Sequence, residues 1–133
     1  MDKLLLEFLN KIDKDFVTPL SQNVALKEFS HKLTRLAINH LCVEDGEIAG
    51  VVSIYCNDSD SKIAYIPLVG VDKKYRGLGI SKALMIAAIE SARKRGFKAI
   101  GLHTESGIAM NLYLSLGFTL KDNVGRKYLE LSL

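Results

Sequence analysis

Gly77 and Gly79 stand two positions apart at the start of a helical pattern, with Lys73, Lys74, Arg76 and Lys82 around them. A helix start leaves backbone N–H groups unpaired, and glycine lets an anion approach both those donors and the positive end of the helix dipole. Asp72 is the only acid in the stretch, so the local charge favours a phosphorylated ligand. Two common phosphate-binding patterns do not fit. A dinucleotide fingerprint needs a third small residue where Lys82 stands, and an acid about 20 residues further on, where the chain reads Phe97-Lys98-Ala99-Ile100. A P-loop needs Gly-Lys-Ser or Gly-Lys-Thr, which is absent. An ordinary solvated strand-to-helix turn uses the same residue types, so the loop by itself leaves its ligand open.

The elements that must hold this loop are legible on either side of it. The apolar run Ile63 to Val71 predicts a buried strand, and Ile80 to Arg95 predicts a helix with an apolar face at Ile80, Ala83, Leu84, Ala87 and Ala88. Pro67, inside the strand, suits a bulge, a point where ladder bonding stops, or an edge strand. Gly96 caps the helix, and Ala99 to His103 form the next strand. A short helix over about 107–116 ends at Gly117, and Phe118 to Leu120 with Arg126 to Leu131 form a closing hairpin. Upstream, Leu5, Phe8, Leu9 and Ile12 mark one face of a first helix. Ser21 or Asn23 caps a second helix running through Leu26, Phe29, Leu33, Leu36 and Ala37. Leu41 to Val43 and Ile48 to Tyr55 are β-rich runs joined through Asp45-Gly46, a hairpin signal. The order is mixed α/β, without repeats or low-complexity tracts.

With 133 residues and an apolar share of 48%, the chain suits a single domain over residues 1–133 with a substantial core. Its net charge of +3 is modest and its basic residues are scattered, which argues against nucleic-acid binding. Cys42 and Cys56 lack metal-ligand spacing and read as small buried hydrophobes, so no metal is expected and a reducing, cytoplasmic setting is. No apolar run approaches the roughly 20 residues needed to span a bilayer, so no membrane association is expected.

Read onward from Val69, the stretch through Arg76-Gly77-Leu78-Gly79-Ile80-Ser81 to Leu84 resembles the cofactor motif of the GNAT superfamily of acetyl-CoA-dependent N-acetyltransferases, whose usual form is Gln/Arg-x-x-Gly-x-Gly/Ala. The run Ala109-Met110-Asn111-Leu112-Tyr113-Leu114-Ser115-Leu116-Gly117-Phe118 resembles a second signature of that family, at the expected distance. The resemblance is clear over residues 48 to 118. It implies a mixed, mostly antiparallel sheet flanked by helices and splayed between its two central parallel strands, with acetyl-CoA entering the gap as co-substrate. It also implies that the backbone at Val69 and Val71 pairs with the pantetheine arm, that amides from Arg76 through Gly77, Leu78, Gly79 and Ile80 to Ser81 hold the pyrophosphate, and that Lys74 opens the motif.

By the same resemblance Tyr113 is the catalytic phenol beside the departing sulfur, where a hydroxyl can supply a proton or a dipole as charge develops. The amine must lose a proton before it attacks. His103, at the end of the strand walling the gap, leads the candidates for that base, with Glu105, Tyr55 and Glu44 in the same region. The chain departs from the family at Lys74, which keeps charge but loses the planar fork of arginine. It departs again at Ser106, where many members place an asparagine that contacts the cofactor, and at its first element, which reads as helix rather than strand. A missing first strand exposes a sheet edge and favours pairing with another chain, a homodimer among the options. The expected acceptor is a small polar amine such as an amino sugar or amino-acid derivative. A peptide N-terminus or lysine, and an acetyl-CoA sensor or interaction module without turnover, are the alternatives.

Overall fold

The computed structural model describes residues 1–133. The chain begins with helix α1 (Asp2–Ile12), which buries Leu5, Phe8, Leu9 and Ile12 as their spacing predicts. Asp2 in its first turn and Lys11 in its last complement the helix dipole. Helix α2 (Leu26–Leu36) follows, and here the expected caps are not used. Its N-cap is Ala25, without a side-chain bond. Ser21 lies in a 3₁₀ turn over Leu20–Gln22, where it donates its hydroxyl to Asp13 Oδ2 at 2.6 Å and its amide to Oδ1 at 3.0 Å. Asn23 ends that turn, its amide donating to the Leu20 carbonyl at 3.1 Å. Local turn bonding has captured both capping residues before the helix begins.

Six strands form one sheet in the order β1-β2-β3-β4-β6-β5: β1 (Ile38–Glu44), β2 (Glu47–Tyr55), β3 (Ile63–Val71), β4 (Ala99–Thr104), β5 (Thr119–Asp122) and β6 (Lys127–Ser132). Every neighbouring pair is antiparallel except β3 with β4. Asp45 and Gly46 join β1 to β2 with φ of 51° and 76°, the two positive values that a type I′ turn requires. No strand precedes α1 in the described chain, and β1 forms one edge of the sheet. No helix is long and apolar enough to cross a membrane.

The sheet separates two apolar cores. On one face Val52, Ile54, Ala64, Ile66, Ile100, Leu102 and Leu129 pack against helices α3 (Ile80–Lys94) and α4 (Gly107–Ser115). On the other, Ile48, Val51 and Leu68 pack against α1 and Leu33 of α2. The buried stripe of α3 is Met85, Ala88, Ile89 and Ala92, rotated from the expected one: Ala83 is exposed, while Ile80, Leu84 and Ala87 are only half-buried. The long Met85 and Ile89 side chains decide which face meets the sheet, because they bury more apolar surface than alanines do. Gly96 and Gly117, at φ of 78° and 99°, end α3 and α4. After each, the next amide reaches back to the helix, Phe97 to Ala92 at 3.1 Å and Phe118 to Tyr113 at 3.0 Å.

Gly50 on β2 fixes where α3 begins. A Cβ there would stand 2.7 Å from Ile80 Cγ2 and 3.3 Å from Val71 Cγ2, so only glycine lets the first residue of α3 rest on the strand. Gly50→Ala is therefore expected to lower unfolding free energy by about 1–3 kcal/mol through overpacking, read as a fall in the denaturation midpoint.

Candidate active site

The parallel ladder between β3 and β4 runs from Ile63 opposite Ala99 to Ile66 opposite Leu102 and stops there. The next residue on β3 is Pro67, which has no N–H to offer. On the β2 side, Leu68 pairs with Ser53 and Tyr65 with Tyr55, so Ile66 and Pro67 together stand opposite Ile54 in a bulge. The edge-strand reading of Pro67 does not hold, because β3 is central. Past Leu102, His103 and Thr104 of β4 pair only with Tyr128 and Lys127 of β6. The two central strands have parted, and β3 runs on beside a gap.

The bonding alternation of β3 decides which groups face that gap. The Asp72 amide donates to the Ala49 carbonyl at 2.9 Å. In this register Gly70 and Leu68 direct their backbone groups to β2, whereas Val69 and Val71 direct theirs away from it, into the gap. None of those four groups has a β4 partner, and one of them, the Val71 carbonyl, accepts from Arg76 Nε at 3.2 Å.

Beyond Val71 the chain makes a 3₁₀ turn over Lys73–Tyr75 capped by Asp72, then passes Gly77 and Gly79 at φ of 82° and 79°. The amides of Gly77, Leu78, Gly79, Ile80, Ser81 and Lys82 make no hydrogen bond within the chain. Such a run of N–H groups leading into a helix start is an anion cradle. It begins later than expected. The Arg76 amide is bound to the Lys73 carbonyl at 3.3 Å, and the Lys74 amide to Asp72 Oδ1 at 3.3 Å. The Lys74 ammonium lies over the Tyr75 ring, 5.3 Å from its centroid.

Asp15, which nothing in the motif pointed to, pairs with Lys73 at 3.3 Å and with Arg76 at 3.4 Å while its side chain is only 8% exposed. It lies 61 positions from Arg76 in sequence, so only the fold brings it there. Asp72 is held below the ordinary carboxylate range: burial pushes its carboxyl up, but the Lys74 amide and the Lys11 ammonium, 3.3 Å away, outweigh that.

Tyr113 on α4 is 5% exposed and belongs to the same buried cluster as Ile66 and Leu102, the last residues paired before the strands separate. Its ring packs against Phe118 with centroids 6.0 Å apart. Burial pushes its phenol up to about 12, so it is a neutral proton donor throughout the physiological range. Its hydroxyl has no partner within the chain and is not among the fully enclosed unpartnered atoms, which are Asp2 Oδ1 and Tyr55 OH. Ser106 serves locally instead of reaching outward: its Oγ caps α4 by accepting from the Ala109 amide at 3.2 Å.

His103 is the first β4 residue past the last β3 pair and projects on the α1/α2 face, opposite to Leu102. Its Nδ1 hydrogen-bonds the Tyr65 hydroxyl at 2.7 Å, and its ring lies 4.9 Å from that of Tyr128. Tyr128 donates to Glu130 Oε2 at 2.9 Å and covers Gly101, where a Cβ would meet its ring. Burial, then the positive charge of Arg126, lower the His103 pKa from its ordinary value, against a smaller upward pull from Asp122. Among the other base candidates, Glu105 is tied to Thr18 at 2.9 Å and Arg126 at 3.6 Å, Tyr55 OH is enclosed, and Glu44 sits at the β1–β2 turn. Tyr65 was discoverable from the strand alternation, which puts it on the face opposite Ala64 and Ile66, and the same alternation puts Tyr128 opposite Leu129.

The model of the acetyltransferase (GNAT) family matches residues 6–118, and the chain belongs to that family. Among curated relatives, the mycothiol acetyltransferase of Thermobispora bispora is 38% identical over 63 residues, 46% of this chain and 21% of that protein. N-alpha-acetyltransferase 30 of Saccharomyces cerevisiae is 37% identical over 68 residues, 50% of this chain and 39% of that protein. The chain thus spans well under half the length of either. In fold it resembles the PaiA N-acetyltransferase of Thermoplasma acidophilum, solved in complex with coenzyme A, with a TM-score of 0.82 at 14% identity over 99% of this chain and 92% of that one.

The left-handed glycines supply a direct test of the loop. A Cβ on Gly79 meets nothing within 4 Å, so Gly79→Ala is expected to cost about 1–2 kcal/mol by backbone strain alone. Gly107→Ala, equally open but without a positive φ, is expected to be neutral or slightly stabilising in the same denaturation experiment.

Proposed function

We propose that the chain transfers an acetyl group from acetyl-CoA to the primary amine of a small polar acceptor, by direct attack within a ternary complex. The observation that carries the reading is continuity. The free β3 backbone at Val69 and Val71 leads, through one short turn, into the unpaired amides from Gly77 to Lys82. An extended arm ending in a pyrophosphate matches both: the arm adds to the strand edge as a β-strand would, and the phosphates meet the helix start. Gly77, Leu78, Gly79, Ile80 and Ser81 hold phosphate through their amides. Arg76 contributes at Val71 and Lys82 by charge, while Lys74 and Ser106 keep their local structural bonds.

When bound, acetyl-CoA supplies a thioester with a thiol leaving group. Tyr113 gives its proton to the sulfur as the C–S bond breaks, and the second proton of the attacking nitrogen, released as the C–N bond forms, restores the phenol. His103 takes the proton that the ammonium must lose. In the tautomer whose Nδ1 donates to the Tyr65 hydroxyl, Nε2 keeps its lone pair for that task. The likeness to the yeast N-alpha-acetyltransferase over half the chain favours a second reading, a peptide N-terminus as acceptor.

Release of free CoA thiol across a panel of amines tests the proposal; binding without release by any amine would favour a cofactor sensor. Tyr113→Phe is expected to lower turnover by roughly 10- to 10⁴-fold at similar cofactor affinity, and unchanged turnover would remove Tyr113 from the mechanism. His103 works as a base only when neutral. The rate is therefore expected to fall as pH drops through a pKa below the ordinary 6.5 and to be flat above it, and His103→Gln is expected to abolish that limb.

A further inference from the structure

A hollow of about 330 Å³ opens between α2 and the ends of β2 and β3, on the face that carries Tyr65 and His103. Its polar groups are almost all committed within the chain. Asn57 Nδ2 donates to the Leu36 carbonyl at 3.2 Å. Asp58 accepts from the amides of Asp60 and Ser61 and from the Ser61 hydroxyl, at 3.2, 3.0 and 2.6 Å, so its carboxylate is largely engaged by its own turn. The Tyr65 hydroxyl is engaged by His103. Two groups are exceptions: the Tyr55 hydroxyl, enclosed and without a partner, and Lys32, which forms no ion pair and whose ammonium stands 5.5 Å from the centroid of the Tyr55 ring. Leu36 and Ile63, at 41% and 40% exposure, supply apolar rim.

Asp58 keeps its negative charge, but its oxygens are engaged by its own turn, so Lys32 is the charged group of the hollow left open to a ligand, and with the apolar rim it suits an anionic group on a short apolar stem. Tyr65 lines this hollow and its hydroxyl bonds the candidate base, so it links the hollow to His103. We propose that the hollow is the acceptor subsite and that the acceptor is a primary amine carrying a carboxylate, an amino acid or a close derivative. The carboxylate pairs with Lys32 and the amine lies at Tyr65 and His103. The proposal rests on the acetyl-transfer reading and narrows it against amino sugars and other uncharged amines.

The test compares matched amines with and without a carboxylate, such as L-phenylalanine against phenethylamine and L-leucine against isopentylamine, with glucosamine alongside. Lys32→Gln is expected to raise KM about tenfold for the carboxylated member of each pair, leaving kcat and the uncharged member unchanged, while Lys32→Arg restores the preference. An unaltered preference in Lys32→Gln, or a wild-type preference for glucosamine or the uncharged amines, would overturn the assignment. Titration of the same amines into the CoA-loaded protein, followed at the Lys32 side-chain resonance, decides the matter where turnover is too slow: a shift must appear with the carboxylated amines and not with their partners. Thermal stabilisation by acetyl-CoA, equal in wild type and Lys32→Gln, separates the two claims. Its absence counts against the acetyl-transfer reading, whereas its presence with no carboxylate-dependent shift counts against the hollow alone.

Discussion

The end of the β3–β4 ladder at Pro67 is the constraint on which the rest of the site depends. Up to Ile66 the two strands are bonded as in any parallel sheet, with residues buried on both faces. At Pro67 there is no donor to continue, and the extra residue of the bulge bends β3 away toward β2. Parallel strands that separate inside a sheet leave backbone groups with no partner, a cost that a folded protein bears only where something else can bond them. The Val69 groups and the Val71 amide are among them, and they lie on the chain immediately before the turn that carries Gly77 and Gly79. One discontinuity thus makes both a strand edge and the path to a helix start.

Asp15 changes which groups of the loop are open to an anion. The basic residues around Gly77 suggest side-chain charge as the attraction, yet Lys73 and Arg76 are already paired to a carboxylate that is 8% exposed, and Lys74 lies over Tyr75. What stays free is the run of amides, whose donors are fixed in place by the fold and carry no rotamer entropy to lose. In the proposed acetyl-CoA complex phosphate recognition depends on backbone geometry, and Gly50 and Ile80 position that geometry by setting α3 against β2. Arg76 bridges the two parts, with Nε on the Val71 carbonyl and its fork on Asp15.

Much of this was legible in the sequence, for identifiable reasons. Periodicity located α1, the six strands and the two glycine-ended helices, because burial and turn chemistry act locally. The glycine spacing placed the loop, and Pro67 marked the break in the ladder. What stayed hidden depended on contacts between distant segments. Asp15 meets Arg76 only once α1 has packed on the sheet; Ser21 and Asn23 read as caps but are drawn into turns with Asp13 and Leu20; and the Ser106 hydroxyl is spent on its own helix. Tyr65 and His103, 38 positions apart, become a hydrogen-bonded pair because a parallel crossover brings β4 alongside β3.

The central claim is that the β3 edge and the amides of the loop form one continuous cradle. Titrating coenzyme A into the protein while following backbone amide chemical shifts tests it residue by residue. The account predicts that Val69, Val71 and the amides from Gly77 to Lys82 move together and saturate at one ligand concentration, while the Lys74 and Arg76 amides, already bonded within the chain, move least along the turn. Shifts confined to the Lys73, Lys74 and Arg76 side chains, or a loop that responds without Val69 and Val71, would contradict it.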